Sequence, residues 1–120
     1  MIIAGFGARA SATDASFRSA LDAALVGKTP DALAIMEPKS EQLQPLASAM
    51  GLELIKVPVD HLAIQQTITK TEASQAAYRT GSVAEATACA AAGAKAKLMG
   101  PRAVSTDRLA TCAIAIGPTT

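Results

Sequence analysis

Three strand-length segments, separated by stretches of helical period, constrain this chain more than any other feature. Met1–Ala4, Ala32–Met36 and Glu53–Val57 read as strands, the first two as short apolar runs and the third as a segment stopped by Pro58. Between the first two, Thr13 is placed to cap a helix with Asp14 in its first turn. Phe17, Ala20, Leu21, Ala24 and Leu25 then share one apolar face, Asp14, Arg18 and Asp22 share the other, and Gly27 stands where a helix would close. Between the second and third strands, Leu43, Leu46, Ala47 and Met50 form a helical face that stops at Gly51. Pro45 lacks the donor a helix interior needs, so the regular helix is expected from about Pro45, with a turn before it. A crossover containing a helix joins parallel strands, so these three strands are expected to be parallel.

The second half is less regular. The first strand is expected to end in a turn at Gly5-Phe6-Gly7, and residues 58–70 carry no clear pattern. Thr71–Thr80 reads as a helix with Ala73, Ala76 and Ala77 inward, broken at Gly81. Ser82-Val83-Ala84-Glu85 has the form of a capping box. The helix it opens, Val83–Ala92, is apolar nearly all round and is expected to be sandwiched, with Gly93 ending it. Lys97–Met99 and Thr111–Ile116 read as a fourth and a fifth strand, the latter with Cys112, Ile114 and Ile116 on one face. About a dozen residues without a helix join them, which suits an antiparallel pair. The expectation is one domain over 1–120: a three-layer α/β/α fold around a mixed five-stranded sheet, its first three strands parallel.

Composition says how such a core must be packed. Roughly a quarter of the 120 residues are alanine, and the aromatics are Phe6, Phe17 and Tyr78 alone. Closely approaching Ala, Leu, Ile and Val must therefore hold the layers together. The formal net charge is +1, too small a field to collect nucleic acid, and so few aromatics do not build a base-stacking platform. No apolar run reaches bilayer length, and Met1–Gly7 has no basic leader, so a cytoplasmic protein is expected. Cys89 and Cys112 lie in apolar surroundings and read as buried thiols. With one His they match no zinc spacing, and neither a metal nor a resident cofactor is expected.

In open α/β sheets, ligands sit beyond the carboxyl ends of the strands. Those positions carry Gly5, Gly7, Arg9, Ser11 and Thr13 after the first strand, and Glu37, Lys39 and Glu41 after the second. Asp60 and His61 follow the third, and Arg102, Ser105, Thr106 and Arg108 follow the fourth. Glycines let backbone N–H groups approach a ligand, and four cations on one rim (Arg9, Lys39, Arg102, Arg108) suit a polyanionic small molecule. Each of these cations taken singly also reads as an ordinary solvated loop residue. Gly5-Phe6-Gly7-Ala8-Arg9-Ala10 loosely fits a dinucleotide fingerprint, with Glu37 as the ribose-binding acid, although Ala8–Ala12 intervene before the helix cap. Glu37 and Glu41 form a candidate carboxylate pair, and His61 a candidate acid/base beside Asp60 or Glu37. Ser11, Ser40, Ser82 and Ser105 lack the flanks of a nucleophile elbow.

Ile3-Ala4-Gly5-Phe6-Gly7-Ala8-Arg9, Glu37-Pro38-Lys39-x-Glu41 and Thr80-Gly81-Ser82-Val83-Ala84-Glu85-Ala86 occur in this order. Leu98-x-x-Pro101-Arg102, Ser105 and Thr111-Cys112-Ala113-Ile114-Ala115 follow them. In that order and spacing the chain resembles the family of CobE and the C-terminal domain of CbiG, in its stand-alone CobE form. The resemblance implies a part in building the corrin ring of vitamin B12. The ligand would be a corrin-ring intermediate, a precorrin or hydrogenobyrinic acid type, held through its acetate and propionate chains. Arg9, Lys39 and Arg102 are the positions that match for substrate contact; Gly5, Gly7, Ser11 and Glu41 are candidates beside them by their place in the chain, and Arg108 is a spatial candidate only. The step could be an assisted ring contraction or deacylation, as CbiG opens a lactone and releases acetaldehyde. Two alternatives stand beside it: a non-catalytic escort that docks on a pathway methyltransferase, and a small dinucleotide-binding domain.

Overall fold

The computed structural model describes residues 1–25, 29–62, 65, 67, 70, 82–93 and 95–117. Among these residues, six strands form one sheet: β1 (Ile2–Ala8), β2 (Ala32–Met36), β3 (Glu53–Val57), β4 (Lys97–Leu98), β5 (Ala103–Val104) and β6 (Ala110–Ile116). Their order is β3-β2-β1-β6-β4, with β5 also paired to β6. The first three are parallel, as their helical crossovers require, with Ile3 opposite Ala32 and Ala32 opposite Glu53. β6 runs antiparallel to β1 on one side and to β4 and β5 on the other.

Helices α1 (Asp14–Leu25) and α2 (Ser40–Met50) cover one face, and α3 (Val83–Ala92) covers the other. The expected three-layer mixed α/β class is the class observed. α1 is capped reciprocally: Ser16 N–H donates to Thr13 Oγ1 at 3.4 Å, and Thr13 N–H donates to Ser16 Oγ at 3.1 Å. Its buried Phe17 meets Phe6 of β1 edge-to-face, ring centres 5.6 Å apart. α3 starts on Ser82, whose side chain accepts from Glu85 N–H, and Val83 through Cys89 are all buried, as an all-round apolar helix should be.

The structure corrects three details. β1 does not turn at Gly5-Phe6-Gly7 but runs through both glycines to Ala8. A Cβ on Gly5 would lie 2.4 Å from Ala88 N and 2.6 Å from Ala84 O, so this glycine admits the α3 backbone and does not mark a turn. Second, α2 is helical from Ser40 and passes through Pro45. Pro45 and Glu41 are both exposed, so the carbonyl deprived of its donor faces solvent, and a short 3₁₀ turn at Glu37–Lys39 leads into the helix. Third, the sheet has six strands, not five. After β4, Met99 N–H still donates to Ile114 O at 2.9 Å; the chain leaves at Gly100-Pro101 and returns as the two-residue β5. So short a strand has no readable period. The expected helix at Thr71–Thr80, its break at Gly81 and the closing Gly27 lie outside the described residues.

Candidate functional site at the carboxyl end of the sheet

β1, β2 and β3 end together at Ala8, Met36 and Val57. Short 3₁₀ turns follow the second and third, Glu37–Lys39 and Val59–His61. Glu37 and Pro38 face Pro58 and Val59 across an open, shallow depression of about 420 Å³. α1 and α2 begin at this same edge. The first turn of α3 joins them, since a Cβ on Gly7 would come within 3.6 Å of Ala84 N and Val83 Cβ. Three helices thus turn their positive ends toward one rim.

The loop after β1 is held from α2 and its leading turn. Lys39 Nζ donates to Ala8 O. Gln42 Nε2 donates to Arg9 O at 3.0 Å and to Ala10 O at 3.3 Å. Lys39 therefore commits one of its three donors to the main chain. On the other side, Arg9 N–H donates to Leu109 O at 2.9 Å, which continues the β1–β6 ladder by one residue. Arg9 itself is exposed and its guanidinium has no partner among the described residues.

The turn between β5 and β6 is held just as firmly, by residues the sequence reading did not single out for this purpose. Asp107 accepts from Ser105 Oγ at 2.6 Å, from Ser16 Oγ at 2.5 Å and from Leu109 N–H at 3.0 Å. The Ser105 hydroxyl, then that of Ser16 and the Leu109 N–H, hold this carboxyl below its ordinary range. Thr106 N–H donates to Ser19 Oγ at 3.0 Å, so the turn is stitched to α1 at two places. An Asp two residues after a Ser, ahead of a strand, is the signal that identifies such a turn. Arg108 occupies its left-handed position, φ +62°, with its side chain exposed and unpaired among the described residues.

Arg102 lies in the interruption between β4 and β5, anchored differently. Its N–H donates at 3.0 Å to Oε2 of Glu85, a fully buried carboxylate in the first turn of α3. Its guanidinium is half-buried and unpaired among the described residues. Ala103 is level with Cys112, which places Arg102 beside Ala113, four residues along β6 from Leu109. With strand rises of about 3.3 Å and strand spacings of about 4.8 Å, the Arg9 and Arg102 backbones are roughly 16 Å apart.

The structure thus brings Arg9, Lys39 and Arg108 to one corner and sets Arg102 at a distance. Ser11 and Glu41 are exposed on the same rim, Glu41 in the first turn of α2. Gly5 and Gly7 are buried inside β1 beneath α3, six or more residues before α1 opens at Asp14. A dinucleotide fingerprint needs its glycines at the strand–helix turn, and that geometry is not present here. His61 is exposed in its 3₁₀ turn, and its backbone N–H donates to Pro58 O. Both thiols are buried and unpaired; burial raises Cys112 far above the ordinary range, and burial and the Glu85 carboxylate raise Cys89. Among the described residues, no group of three or more His, Cys, Asp or Glu could hold a metal, and no helix is long and apolar enough to cross a membrane.

Solved structures with this architecture include CobE, a protein from the cobalamin (vitamin B12) biosynthetic pathway. That likeness has a TM-score of 0.87 and 26% identity over 100% of this chain and 92% of CobE. The cobalamin biosynthesis protein chiG from Agrobacterium tumefaciens str. C58 matches with a TM-score of 0.74 and 30% identity, covering 99% of this chain and 100% of that one. A cobalamin biosynthesis protein G homolog from Sulfolobus solfataricus shares the fold at a TM-score of 0.72 and 19% identity, over 95% of this chain and 36% of that one. No curated protein matches. The family model described as cobalamin synthesis G C-terminus matches residues 2–115, and this chain is a member of that cobalamin-biosynthesis family.

Proposed function

We propose that this chain binds a corrin-ring precursor through its acetate and propionate groups, at the carboxyl end of the sheet. The observation that supports the reading is that Arg9, Arg102 and Arg108 have firmly anchored backbones and guanidinium groups with no partner among the described residues. Guanidinium recognises carboxylate in a planar, bidentate fashion. Three such groups spread over roughly 16 Å match a macrocycle rimmed with acids better than one small anion. The shallow depression lined by Glu37, Pro38, Pro58 and Val59 opens at the ends of β2 and β3, on the same edge of the sheet as Arg9.

The test is an absorption titration of the protein with hydrogenobyrinic acid at low and high salt. Binding is expected at low salt and should weaken as salt screens the pairs. Replacing Arg9 and Arg102 together by Ala should weaken it tenfold or more, the loss of about 1.4 kcal/mol or more of charge-assisted bonding. A protein that takes up no tetrapyrrole at low salt does not have this function. Stoichiometric capture without product identifies a binding or escort protein; release of acetaldehyde or acetate identifies a hydrolase.

A further inference from the structure

The interruption between β4 and β5 leaves Arg102 without the support that strand residues give one another. Before it, Met99 N–H donates to Ile114 O at 2.9 Å; after it, Ala103 is again level with Cys112. Between them Pro101 has no N–H to donate, and a Cβ on Gly100 would meet nothing within 4 Å. Arg102 is held instead from the helix layer, its N–H donating at 3.0 Å to Glu85 Oε2. A half-buried N–H at a sheet edge does not call for a carboxylate, since water or a neutral oxygen satisfies it. Glu85 is wholly buried, and burying a carboxylate is costly unless hydrogen bonds offset it. What the charge adds is a shorter and stronger bond than a neutral acceptor makes.

The base of that bond is rigid. Glu85 N–H donates to Oγ of the wholly buried Ser82 at 3.4 Å. One turn on, the α3 backbone is seated on β1 so closely that a Cβ on Gly5 would lie 2.4 Å from Ala88 N. The positive end of α3 also favours a negative charge in its first turn. Glu85 thus extends the rigidity of the sheet's centre to an edge with little of its own. Its carboxylate takes the main chain of Arg102, and the guanidinium of that same residue has no partner among the described residues.

We propose that Glu85 is the positioning residue for Arg102, fixing its backbone so that the guanidinium meets a ligand carboxylate at a set place. The proposal rests on the corrin-precursor reading and adds to it a residue that never touches the ligand. Arg9 needs no such support, because its own N–H completes the ladder to Leu109 O. Glu85 is therefore coupled to Arg102 and not to Arg9.

The experiment titrates the full chain with hydrogenobyrinic acid at low salt, by absorption, and runs two double-mutant cycles. Glu85→Met keeps the volume of the side chain and removes the acceptor, a replacement that buried charges often tolerate. It should weaken binding roughly threefold, as Arg102→Ala should, and the double variant should bind no more weakly than Arg102→Ala alone. With Arg9→Ala the losses should multiply, since sites more than about 10 Å apart act independently. Glu85→Gln, which restores a neutral acceptor, should recover most of the affinity, and it replaces Glu85→Met in both cycles if that variant does not fold; its smaller loss should then vanish on the Arg102→Ala background. A merely structural Glu85 would change the melting temperature and leave Arg102-dependent binding intact, or would weaken binding equally with and without Arg102; either result overturns the proposal. So does binding that ignores Arg102→Ala, although the corrin reading then stands on the other cations. A parent protein that takes up no hydrogenobyrinic acid removes the corrin reading and this role together.

Discussion

The two faces of the sheet are packed by opposite means. Toward α1 and α2 the strands present Phe6, Leu33, Ile35, Cys112 and Ile114, and the helices answer with Phe17, Leu21, Leu43 and Leu46. Toward α3 the centre of the sheet presents Gly5, Gly7, Ala32, Ala34, Ala113 and Ala115, with Ile3, Met36 and Val57 around them, and the helix answers with Ala84, Ala86 and Ala88. One face is a layer of interlocked large side chains; the other is a helix backbone laid almost directly on a strand. The same period-2 alternation produces both, since neighbouring residues of a strand point to opposite faces. A chain with three aromatics can afford only one thick layer, and the second face is filled by bringing main chains together.

That contrast is broken most directly by adding a methyl group on one face and removing one on the other. Gly5→Ala places its Cβ 2.4 Å from Ala88 N, against backbone that cannot swing aside. It should cost about 3 kcal/mol or more, at or above the upper end of ordinary overpacking. Ile35→Val, fully buried in the large-side-chain layer, should cost about 1 kcal/mol. Urea unfolding of the two variants measures both. A Gly5→Ala protein within about 0.5 kcal/mol of the parent would mean that α3 is not seated on β1.

The contrast also explains what could be read from the sequence. Five of the six strands and the three described helices, the parallel order of the first three strands and the glycine stops at Gly51 and Gly93 were legible, because each rests on local period or backbone conformation. The role of Gly5 was not. A glycine followed by Phe6-Gly7 signals a turn locally, and only the approach of α3, some eighty residues later in the chain, makes it a strand residue. The candidate site divides in the same way. Rim position followed from strand ends, so Arg9 and Lys39 fell where expected. Arg102 stands apart because the Gly100-Pro101 interruption splits one edge strand into two, and Asp107 gained its role from Ser16, ninety-one positions away.

A smaller effect probes whether the α3 side is as tightly specified in polarity as in shape. Thr87 Oγ1 is buried and has no hydrogen-bond partner among the described residues, while Ser16 and Ser105 on the α1 side are fully bonded. A buried hydroxyl without a partner costs free energy that an isosteric methyl does not. Thr87→Val should therefore stabilise the protein by about 1 kcal/mol, read as a shift of the urea midpoint with unchanged slope. Destabilisation instead would show that the hydroxyl is bonded in solution.

The smallest effect lies in the polar stitching of the α1 side and shows itself only in acid. Asp107 has a lowered folded-state pKa, caused by the Ser105 hydroxyl, then the Ser16 hydroxyl and the Leu109 N–H. A group whose folded pKa is depressed gives stability that is fully present above its unfolded value, about 3.9, and that is lost as pH falls through the folded value. The parent protein should thus lose stability on acidification below about pH 4 more steeply than Asp107→Asn, in which that proton uptake is absent. Asp107 is solvent-exposed, so the difference should be modest and should shrink in high salt. Parallel acid limbs for the two proteins would show that the carboxylate does not hold the β5–β6 turn onto α1. In that case the left-handed Arg108 would owe its place to the backbone bonds from Arg108 N–H to Ser105 O and from Ser105 N–H to Ala110 O.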